Sequence, residues 1–239
     1  MNLFSLIPRS WKEYLRHRAG AITVRARLNN LREAGFSPRR IIDAGAFMGE
    51  WTELAHSIYP SAELLLIEPQ PHLTAKLEAL CRRLPVTASV RPVLLSSQSG
   101  RATFRLQESN SQIVPPDHKP VAGERLIEVE MATLADLVAN TEFAQCDLIK
   151  LDLQGHELEA LAGAGELFGR AEVIFIEVSW LRIGDVPIAE EVIARFTQKG
   201  YRLYDVLGFN HRPLDRALWQ TDFIFVRNDS ALISSRDWA

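Results

Sequence analysis

The strongest constraint on this 239-residue chain is a pair of short apolar runs that each end at an acid. The first run lies in IIDAGAFMG at residues 41–49, and the second lies in LIEP at residues 66–69. The first predicts a strand, a Gly-x-x-x-Gly turn that admits a ligand against bare backbone, and a following helix. Glu68 follows Gly45 by 23 residues, where the second strand of a nucleotide fold ends and an acid binds two ribose hydroxyls. The pairing predicts a site for an adenosine-bearing cofactor.

The glycine spacing indicates which cofactor this is. A dinucleotide fold requires Gly-x-Gly-x-x-Gly, but the second position after Gly45 is Phe47, whose side chain would meet a pyrophosphate. S-adenosylmethionine (SAM) has no phosphate and carries a sulfonium cation, so it tolerates a looser turn with an acid at its start. The predicted cofactor contacts are Asp43, Gly45, Ala46, Phe47, Gly49, Glu68, Pro69, Gln70 and Asp152.

Charge is distributed unevenly along the chain. Residues 1–40 hold nine Lys and Arg against two Glu, which gives +7 within a total of −3. We expect residues 1–39 to form a basic helical extension and residues 40–239 to form one domain, since α/β domains of this length are commonly single. Contact of the extension with an anionic membrane or an acidic partner is one interpretation, and a solvated helix packed across the domain is the other.

Other features indicate a cytoplasmic protein. The sequence has no run of about 18 apolar residues and no signal-peptide pattern. Cys81 and Cys146 have no His or Cys at metal-ligand spacing, which predicts buried thiols. Peripheral contact with the inner membrane face through the N-terminus stays open, and the sequence has no readable signal for the oligomeric state.

Hydrophobic runs alternate with helical patterns, which predicts an α/β fold with helices on both faces of the sheet. Side strands are expected near residues 103–106 and 126–130, and a terminal strand pair near 201–207 and 222–226. We expect a Rossmann-like, seven-stranded, mostly parallel sheet with an antiparallel last strand, which is the architecture expected of many class I methyltransferases. The main strands are predicted at about 40–44, 63–68, 89–94, 147–152 and 172–178, and the helices at about 49–57, 71–82, 133–139, 156–167 and 188–198.

A second dense segment is DLIKLDLQGHELEALAGA at residues 147–164. Its strand brings Asp152 to the carboxyl edge of the sheet, where open α/β folds bind ligands. His156 and Glu157 begin a helix whose N-terminal dipole favours the Glu carboxylate. Asp152, His156 and Glu157 are the candidate catalytic bases, and an alternative role for Asp152 is to hold the methionine amine of the cofactor.

At this segment the chain resembles the FkbM family of SAM-dependent methyltransferases. That family carries Lys-[Ile/Leu]-Asp-x-x-Gly-x-Glu-x-x-x-Leu-x-Gly-Ala, which residues 150–164 match. The resemblance covers about residues 40–227 and departs at Phe47, where relatives often carry Asn. The residues that match the family's cofactor motifs are Asp43, Gly45, Gly49, Glu68 and Pro69.

The resemblance implies transfer of a methyl group from SAM to a hydroxyl of a saccharide, glycolipid or natural product. The reaction needs the hydroxyl in line with the sulfonium carbon and a group that takes its proton. Acceptor contacts are expected from Asn110 in the irregular segment 108–123, from Glu177 at a strand end and from Trp180. Asp152 and Glu177 end adjacent strands and could hold Mg²⁺, but no metal site is predicted.

Three other classes of function are alternatives to this one. An NAD-linked oxidoreductase on the same fold is opposed by the missing glycine trio. A non-catalytic module that binds a partner or membrane is opposed by the intact acids at 43, 68, 152 and 157, although binding without turnover would keep some of them. Nucleic-acid methylation is opposed by the acidic chain beyond residue 40, which offers little to phosphates.

Overall fold

The computed structural model describes residues 23–107, 111–115 and 117–235. The helices are α1 Val24–Glu33, α2 Glu50–Ile58, α3 Pro71–Arg83, α4 Leu134–Val138, α5 Glu157–Ala162, α6 Leu167–Arg170 and α7 Ala189–Gln198. The strands are β1 Arg40–Ala44, β2 Glu63–Ile67, β3 Ala88–Arg91, β4 Leu94–Leu95, β5 Gly100–Arg105, β6 Gln112–Ile113, β7 Leu126–Ala132, β8 Leu148–Leu151, β9 Val173–Ser179, β10 Tyr201–His211 and β11 Leu218–Arg227.

The main sheet has seven strands in the order β10-β11-β9-β8-β1-β2-β3. The pairs from β9 to β3 are parallel, whereas β11 is antiparallel to both β9 and β10. This confirms the predicted α/β fold with a mostly parallel sheet and an antiparallel last strand. The carboxyl ends of β1, β2, β8 and β9 meet at one edge of the sheet, and the loops that follow them can share one site.

Helices cover both faces of the main sheet because successive strand residues point to opposite sides. On one face, α4, α5 and α7 pack on a core that includes Ile42 and Ile149. On the other face, α1, α2 and α3 pack on a core that includes Ile41 and Leu148. All four of these isoleucine and leucine side chains are fully buried, and the sheet is therefore a rigid base for its edge loops.

Two predicted elements are divided in the structure. The strand predicted at 89–94 is β3 and β4, because Pro92 between them has no N–H to donate to a ladder. The helix predicted at 156–167 is α5 and α6, with Gly163 between them. A Cβ atom on Gly163 would lie 2.1 Å from the carbonyl oxygen of Ser96. Only a residue without a side chain lets the two backbones approach this closely at the end of α5.

A second sheet, in the order β4-β7-β5-β6, lies beside the carboxyl edge of the main sheet. Its own small core contains Leu94, Phe104 and Val129. Just before β6, the Ser111 hydroxyl donates to the Gln70 side chain after β2 at 3.1 Å. The second sheet is thereby fastened to the loop that carries the predicted ribose-binding acid.

The described part of the basic extension packs on the domain. Leu28 and Leu31 of α1 are fully buried, and the Tyr59 hydroxyl donates to the Leu28 carbonyl at 2.8 Å. The boundary at residues 39 and 40 stays a prediction, and residues 1–22 lie outside the described part. Within that part, none of the helices has the length and apolar character needed to cross a bilayer. Cys81 and Cys146 are buried free thiols, as expected.

Candidate active site

A cleft with a volume of about 350 Å³ opens at the carboxyl edge of the main sheet. The loops after β1, β2 and β8, the ends of β9, β10 and β11, and the second sheet contribute its walls. Open α/β folds bind ligands in this position. The lining residues are Gly45, Phe47, Glu68, Pro69, Gln70, Leu94, Phe104, Ser111, Asp152, Leu153, Gln154, Glu177, Asn210, Trp219 and Gln220.

Glu68 lies just after β2 and is buried in the cleft wall. Its Oε2 accepts a hydrogen bond from the Phe47 N–H at 2.9 Å, and its Oε1 accepts one from the Gln70 N–H at 3.0 Å. Burial raises the pKa of Glu68, and these two N–H donors only partly offset that rise. A carboxylate oxygen can accept more than one hydrogen bond. The carboxylate is therefore fixed in place and keeps acceptor capacity for a ribose diol.

The turn after β1 is held in left-handed backbone conformations at Gly45 (φ +74°) and Phe47 (φ +45°). A Cβ atom on Gly45 would lie 1.9 Å from the Asp152 carbonyl oxygen, so only glycine permits this packing. Phe47 adopts a conformation that is uncommon for a bulky residue, and its N–H bond to Glu68 holds it there. The turn thus joins the ends of β1, β2 and β8 in one compact unit.

A buried ion cluster lies behind the cleft. The Lys150 Nζ lies 3.4 Å from Asp43 Oδ1 and 3.4 Å from Asp152 Oδ2, and it donates to the Gly45 carbonyl at 2.8 Å. The Thr52 hydroxyl donates to Asp43 at 2.5 Å. Burial alone would lower the pKa of Lys150, but the two carboxylates outweigh it and the net pKa is raised. The lysine therefore stays charged and ties β1 to β8.

The opposite wall of the cleft carries two carboxylates, Asp152 after β8 and Glu177 in β9. The Gln154 side-chain nitrogen donates to Asp152 Oδ1 at 2.9 Å and to Glu177 Oε2 at 3.3 Å. The Gln220 side-chain nitrogen also donates to Glu177 Oε2, at 2.9 Å. The Asp152 side chain is 39% exposed and so can reach a ligand. Amides from two different elements hold this carboxylate pair.

Like charges crowd this wall. Burial, followed by the charges of Asp152, Glu157 and Asp222, raises the pKa of Glu177 to about 9. Asp222 stands opposite Glu177 in the β9–β11 register, and burial with the Asp152 charge raises its pKa to about 7. At neutral pH we expect Glu177 to hold a proton, which makes it a hydrogen-bond donor as well as an acceptor.

Glu157 and His156 do not reach the cleft. Glu157 Oε1 folds back to accept from the Leu153 N–H at 2.7 Å and the Gly155 N–H at 3.2 Å. Burial raises its pKa to about 7, which those N–H donors moderate. The His156 Nε2 lies 3.1 Å from the Ser96 hydroxyl, and burial lowers the pKa of the ring. The structure therefore does not bring the three candidate bases together, and only Asp152 lines the cleft.

The predicted cofactor contacts divide into two groups. Asp43, Ala46 and Gly49 are buried and lie behind the surface of the cleft, where they support the turn. Direct contacts of these three with a cofactor stay predictions. The predicted cofactor contacts that line the cleft are Gly45, Phe47, Glu68, Pro69, Gln70 and Asp152.

The predicted acceptor contacts have different outcomes. Glu177 lines the cleft. The Trp180 Nε1 donates to the Thr221 hydroxyl at 2.8 Å, and Trp219 lines the cleft in its place. Asn110 lies outside the described residues, so its role stays a prediction.

Sequence reasoning missed several residues of the acceptor wall. Gln154 follows Asp152 by two residues, and its polar side chain beside a predicted catalytic acid was an available signal. Asn210, Trp219 and Gln220 come from β10 and β11. No local pattern marks these three, because their place in the cleft depends on how the last two strands pair.

No group of three or more His, Cys, Asp and Glu side chains in the described ranges has an arrangement that could hold a metal ion. The cleft does suit SAM. Glu68 presents a fixed carboxylate for a ribose diol at one end, and Asp152 presents an exposed carboxylate for a primary amine toward the other. The two acids follow the strands that flank β1, so they line separate parts of the cleft.

The strand order, the antiparallel β11 and a carboxyl-edge cleft with an acid after β2 define a class I methyltransferase. The family model for the methyltransferase FkbM domain matches residues 43–203, and the chain belongs to this family. It is a SAM-dependent methyltransferase, which sets aside the oxidoreductase alternative.

Individual relatives are distant. Methyltransferase sdnD of Sordaria araneosa is 26% identical over 215 residues, covering 76% of this chain and 77% of the relative. A putative methyltransferase, yhhF, from Escherichia coli is 15% identical and superposes with a TM-score of 0.46. The superposition covers 87% of this chain and 86% of the yhhF chain. The precorrin-6y C5,15-methyltransferase from Geobacter metallireducens is 12% identical, with coverage of 85% and 88% and a TM-score of 0.45.

Proposed function

We propose that the protein transfers the methyl group of SAM to a hydroxyl oxygen of a saccharide, glycolipid or natural-product acceptor. The observation that carries the proposal is the wall formed by Asp152, Gln154, Glu177 and Gln220, which offers carboxylate and amide groups to the cleft. Such groups exchange hydrogen bonds with hydroxyls in both directions. Asn210 and the Trp219 ring extend this wall and suit an acceptor with several hydroxyls beside an apolar face.

The residues of the cleft divide the work of the reaction. Glu68 binds the ribose, and the turn at Gly45 and Phe47 shapes the adenosine end. SAM supplies an electrophilic methyl carbon on its sulfonium. Asp152 is the exposed carboxylate that can take the proton of the acceptor hydroxyl, and Glu177 orients that hydroxyl by donating or accepting a hydrogen bond. Holding the acceptor in line with the methyl carbon supplies the larger part of the rate.

His156 and Glu157 are assigned supporting roles in this proposal. Glu157 fixes the turn that carries Asp152, and His156 binds Ser96 at the end of the second sheet. A catalytic role for either would require the turn at residues 152–156 to open. Asp152→Asn should therefore lower turnover more than Glu157→Gln or His156→Gln does, and equal losses in all three would contradict this division.

A methyl-transfer assay tests the function directly. The full chain is incubated with radiolabelled SAM and pooled sugar nucleotides, glycolipids and natural-product extracts, with and without EDTA. Label should enter a hydroxyl of an acceptor and resist the alkaline hydrolysis that releases methyl esters, and EDTA should leave the rate unchanged. Label found only on amines would overturn the assignment to oxygen.

Contact of the basic N-terminal segment with a membrane is a separate part of the proposal, supported by its charge alone. The full chain should sediment with vesicles that contain phosphatidylglycerol, and a chain that lacks residues 1–20 should not. Equal sedimentation of both chains would reject this contact without affecting the proposed reaction.

A further inference from the structure

One amide group joins the two carboxylates of the acceptor wall. The Gln154 side-chain nitrogen carries two hydrogens and lies 2.9 Å from Asp152 Oδ1 and 3.3 Å from Glu177 Oε2. Asp152 follows β8 and Glu177 belongs to β9, so this nitrogen bridges two neighbouring strands. A single side chain thus sets the spacing of the two acids that line the cleft.

The backbone at Gln154 is held in an uncommon conformation. Its φ of +55° lies in the left-handed region, which is unfavourable for a residue with a Cβ atom. Glu157 fastens the turn on both sides of Gln154, since its carboxylate accepts from the N–H groups of Leu153 and Gly155. The fold maintains this backbone strain, and the strained backbone directs the amide at the two acids.

The charges around the pair oppose ionisation of both acids at once. Glu157 on α5 and Asp222 on β11 add negative charge to the surroundings of Glu177. Lys150 on β8 is the opposing cation, but Asp43 on β1 shares it. One shared cation does not offset these negative charges, so ionisation of Glu177 is opposed.

We infer that Gln154 is a positioning residue that holds Asp152 and Glu177 as a coupled pair on the acceptor side of the cleft. This inference rests on the proposed function. When the acceptor hydroxyl reacts, its O–H bond breaks and the proton moves to Asp152. The oxygen electron pair forms the new bond to carbon, and the electrons of the broken S–C bond stay on sulfur. Glu177 keeps its proton and donates to the acceptor.

Two substitutions separate the amide from the backbone. Gln154→Gly removes the amide and fits a positive φ, so the urea denaturation midpoint should stay close to the wild-type value. Gln154→Asn also tolerates a positive φ and keeps an amide, on a side chain that is one methylene shorter. A change seen in the glycine variant and partly restored in the asparagine variant therefore belongs to the amide.

Carbon-13 NMR of the side-chain carboxyls in the full chain measures how Glu177 titrates in the absence of an acceptor. The Glu177 signal is assigned by its loss in Glu177→Gln. An N–H donor favours the ionised carboxylate, so its removal in Gln154→Gly should raise the pKa of Glu177 by roughly one unit, with an intermediate value in Gln154→Asn. Asp152→Asn should lower the pKa of Glu177, because a neighbouring like charge is lost.

Two outcomes would overturn the inference. Either an unchanged Glu177 titration in Gln154→Gly or an unchanged titration in Asp152→Asn would show that the pair is not coupled through this amide. Calorimetric binding of SAM and the methyl-transfer assay are measured on the same wild-type preparation. A wild-type chain that transfers no methyl to oxygen would reject the proposed function, while the titrations still decide whether Gln154 couples the two acids.

Discussion

The two ends of the cleft are built in different ways. At the proposed cofactor end, Glu68 is held by two backbone N–H groups, that of Phe47 in the turn after β1 and that of Gln70 two residues after Glu68. At the proposed acceptor end, Glu177 is held by the side-chain amides of Gln154 and Gln220, which come from separate parts of the chain. Backbone donors are present whatever the side chain, whereas side-chain donors can be exchanged by substitution. We therefore expect the proposed cofactor end to be constant and the proposed acceptor end to be adaptable.

The largest effect is expected where Gly45 packs against the Asp152 backbone, between the two ends of the cleft. Gly45→Ala should lower the free energy of unfolding by at least about 4 kcal/mol, because its Cβ would lie 1.9 Å from the Asp152 carbonyl oxygen. Gly35→Ala is the matched control, since Gly35 also has a positive φ but no atom within 4 Å of the added Cβ. Urea denaturation measures both, and equal losses would mean that backbone conformation alone requires glycine at 45.

A second test removes the cation that both ends share. Lys150→Met should lower the free energy of unfolding by about 3–5 kcal/mol, because it leaves the buried Asp43 carboxylate without its partner. The double variant Asp43→Asn with Lys150→Met removes both charges and should recover part of the loss. Thermal and urea denaturation measure these changes. A double variant as unstable as Lys150→Met would contradict the role of the ion pair.

The third test is specific to the cofactor end. Glu68→Gln should weaken SAM binding by about 1.5–3 kcal/mol for each charge-assisted bond lost, which is roughly 10-fold to 150-fold in Kd. Glu63→Gln at the other end of β2 is the control and should leave the Kd unchanged. Isothermal titration calorimetry measures both. Unchanged affinity in Glu68→Gln would refute the ribose contact.

The smallest test uses pH and the acid-rich acceptor end. Burial raises the pKa of Glu157 from 4.5 to about 7, so the folded state binds this proton more tightly than the unfolded state does. Its contribution to stability is therefore full below about pH 4.5 and declines as the pH rises to about 7. In Glu157→Gln the side-chain oxygen can still accept hydrogen bonds from the turn. Because this side chain does not titrate, the decline in stability with rising pH should disappear. Its free energy of unfolding should exceed the wild-type value at pH 8 by on the order of 1 kcal/mol.

The control for that test is Glu190→Gln, an exposed change in the first turn of α7, which should leave the pH dependence unaltered. Denaturation midpoints at pH 5 and pH 8 provide the comparison. A Glu157→Gln variant that is less stable than the wild type at both pH values would show that the ionised carboxylate, rather than its shape, holds the turn.

The same contrast explains how far the sequence could predict the site. The sequence predicted Gly45, Phe47 and Glu68 at this edge, and all three line the cleft, because a strand, a turn and the next strand tip are local patterns with known spacing. Asp152 and Glu177 line the cleft for the same reason. Gln220 and Asp222 could not be predicted, because only the register of β11 against β9 places them beside Glu177. His156 and Glu157 were predicted as candidate bases from their chemistry alone. The folded turn places both side chains behind the cleft, and a catalytic role for either stays a prediction.

The fold was more predictable than the site. Apolar runs separated by helical patterns predicted every strand of the main sheet to within a few residues. The signal is strong because a strand buried on both faces is apolar along its whole length. The division at Pro92 was missed although a proline inside a predicted strand is a readable signal, whereas the division at Gly163 depends on the neighbouring backbone. Gly163 in particular is required by its approach to the Ser96 carbonyl, which the sequence alone does not reveal.

The insertion of β11 between β9 and β10 has a consequence for how such enzymes diversify. Side chains alternate along a strand, so one residue gained or lost in β11 before Gln220 would reverse the set that faces the acceptor. The tips of β1 and β2 lie several strands away and would not change. If the proposed function holds, short insertions and deletions late in a chain of this topology would change the acceptor contacts and leave the SAM contacts of β1 and β2 in place.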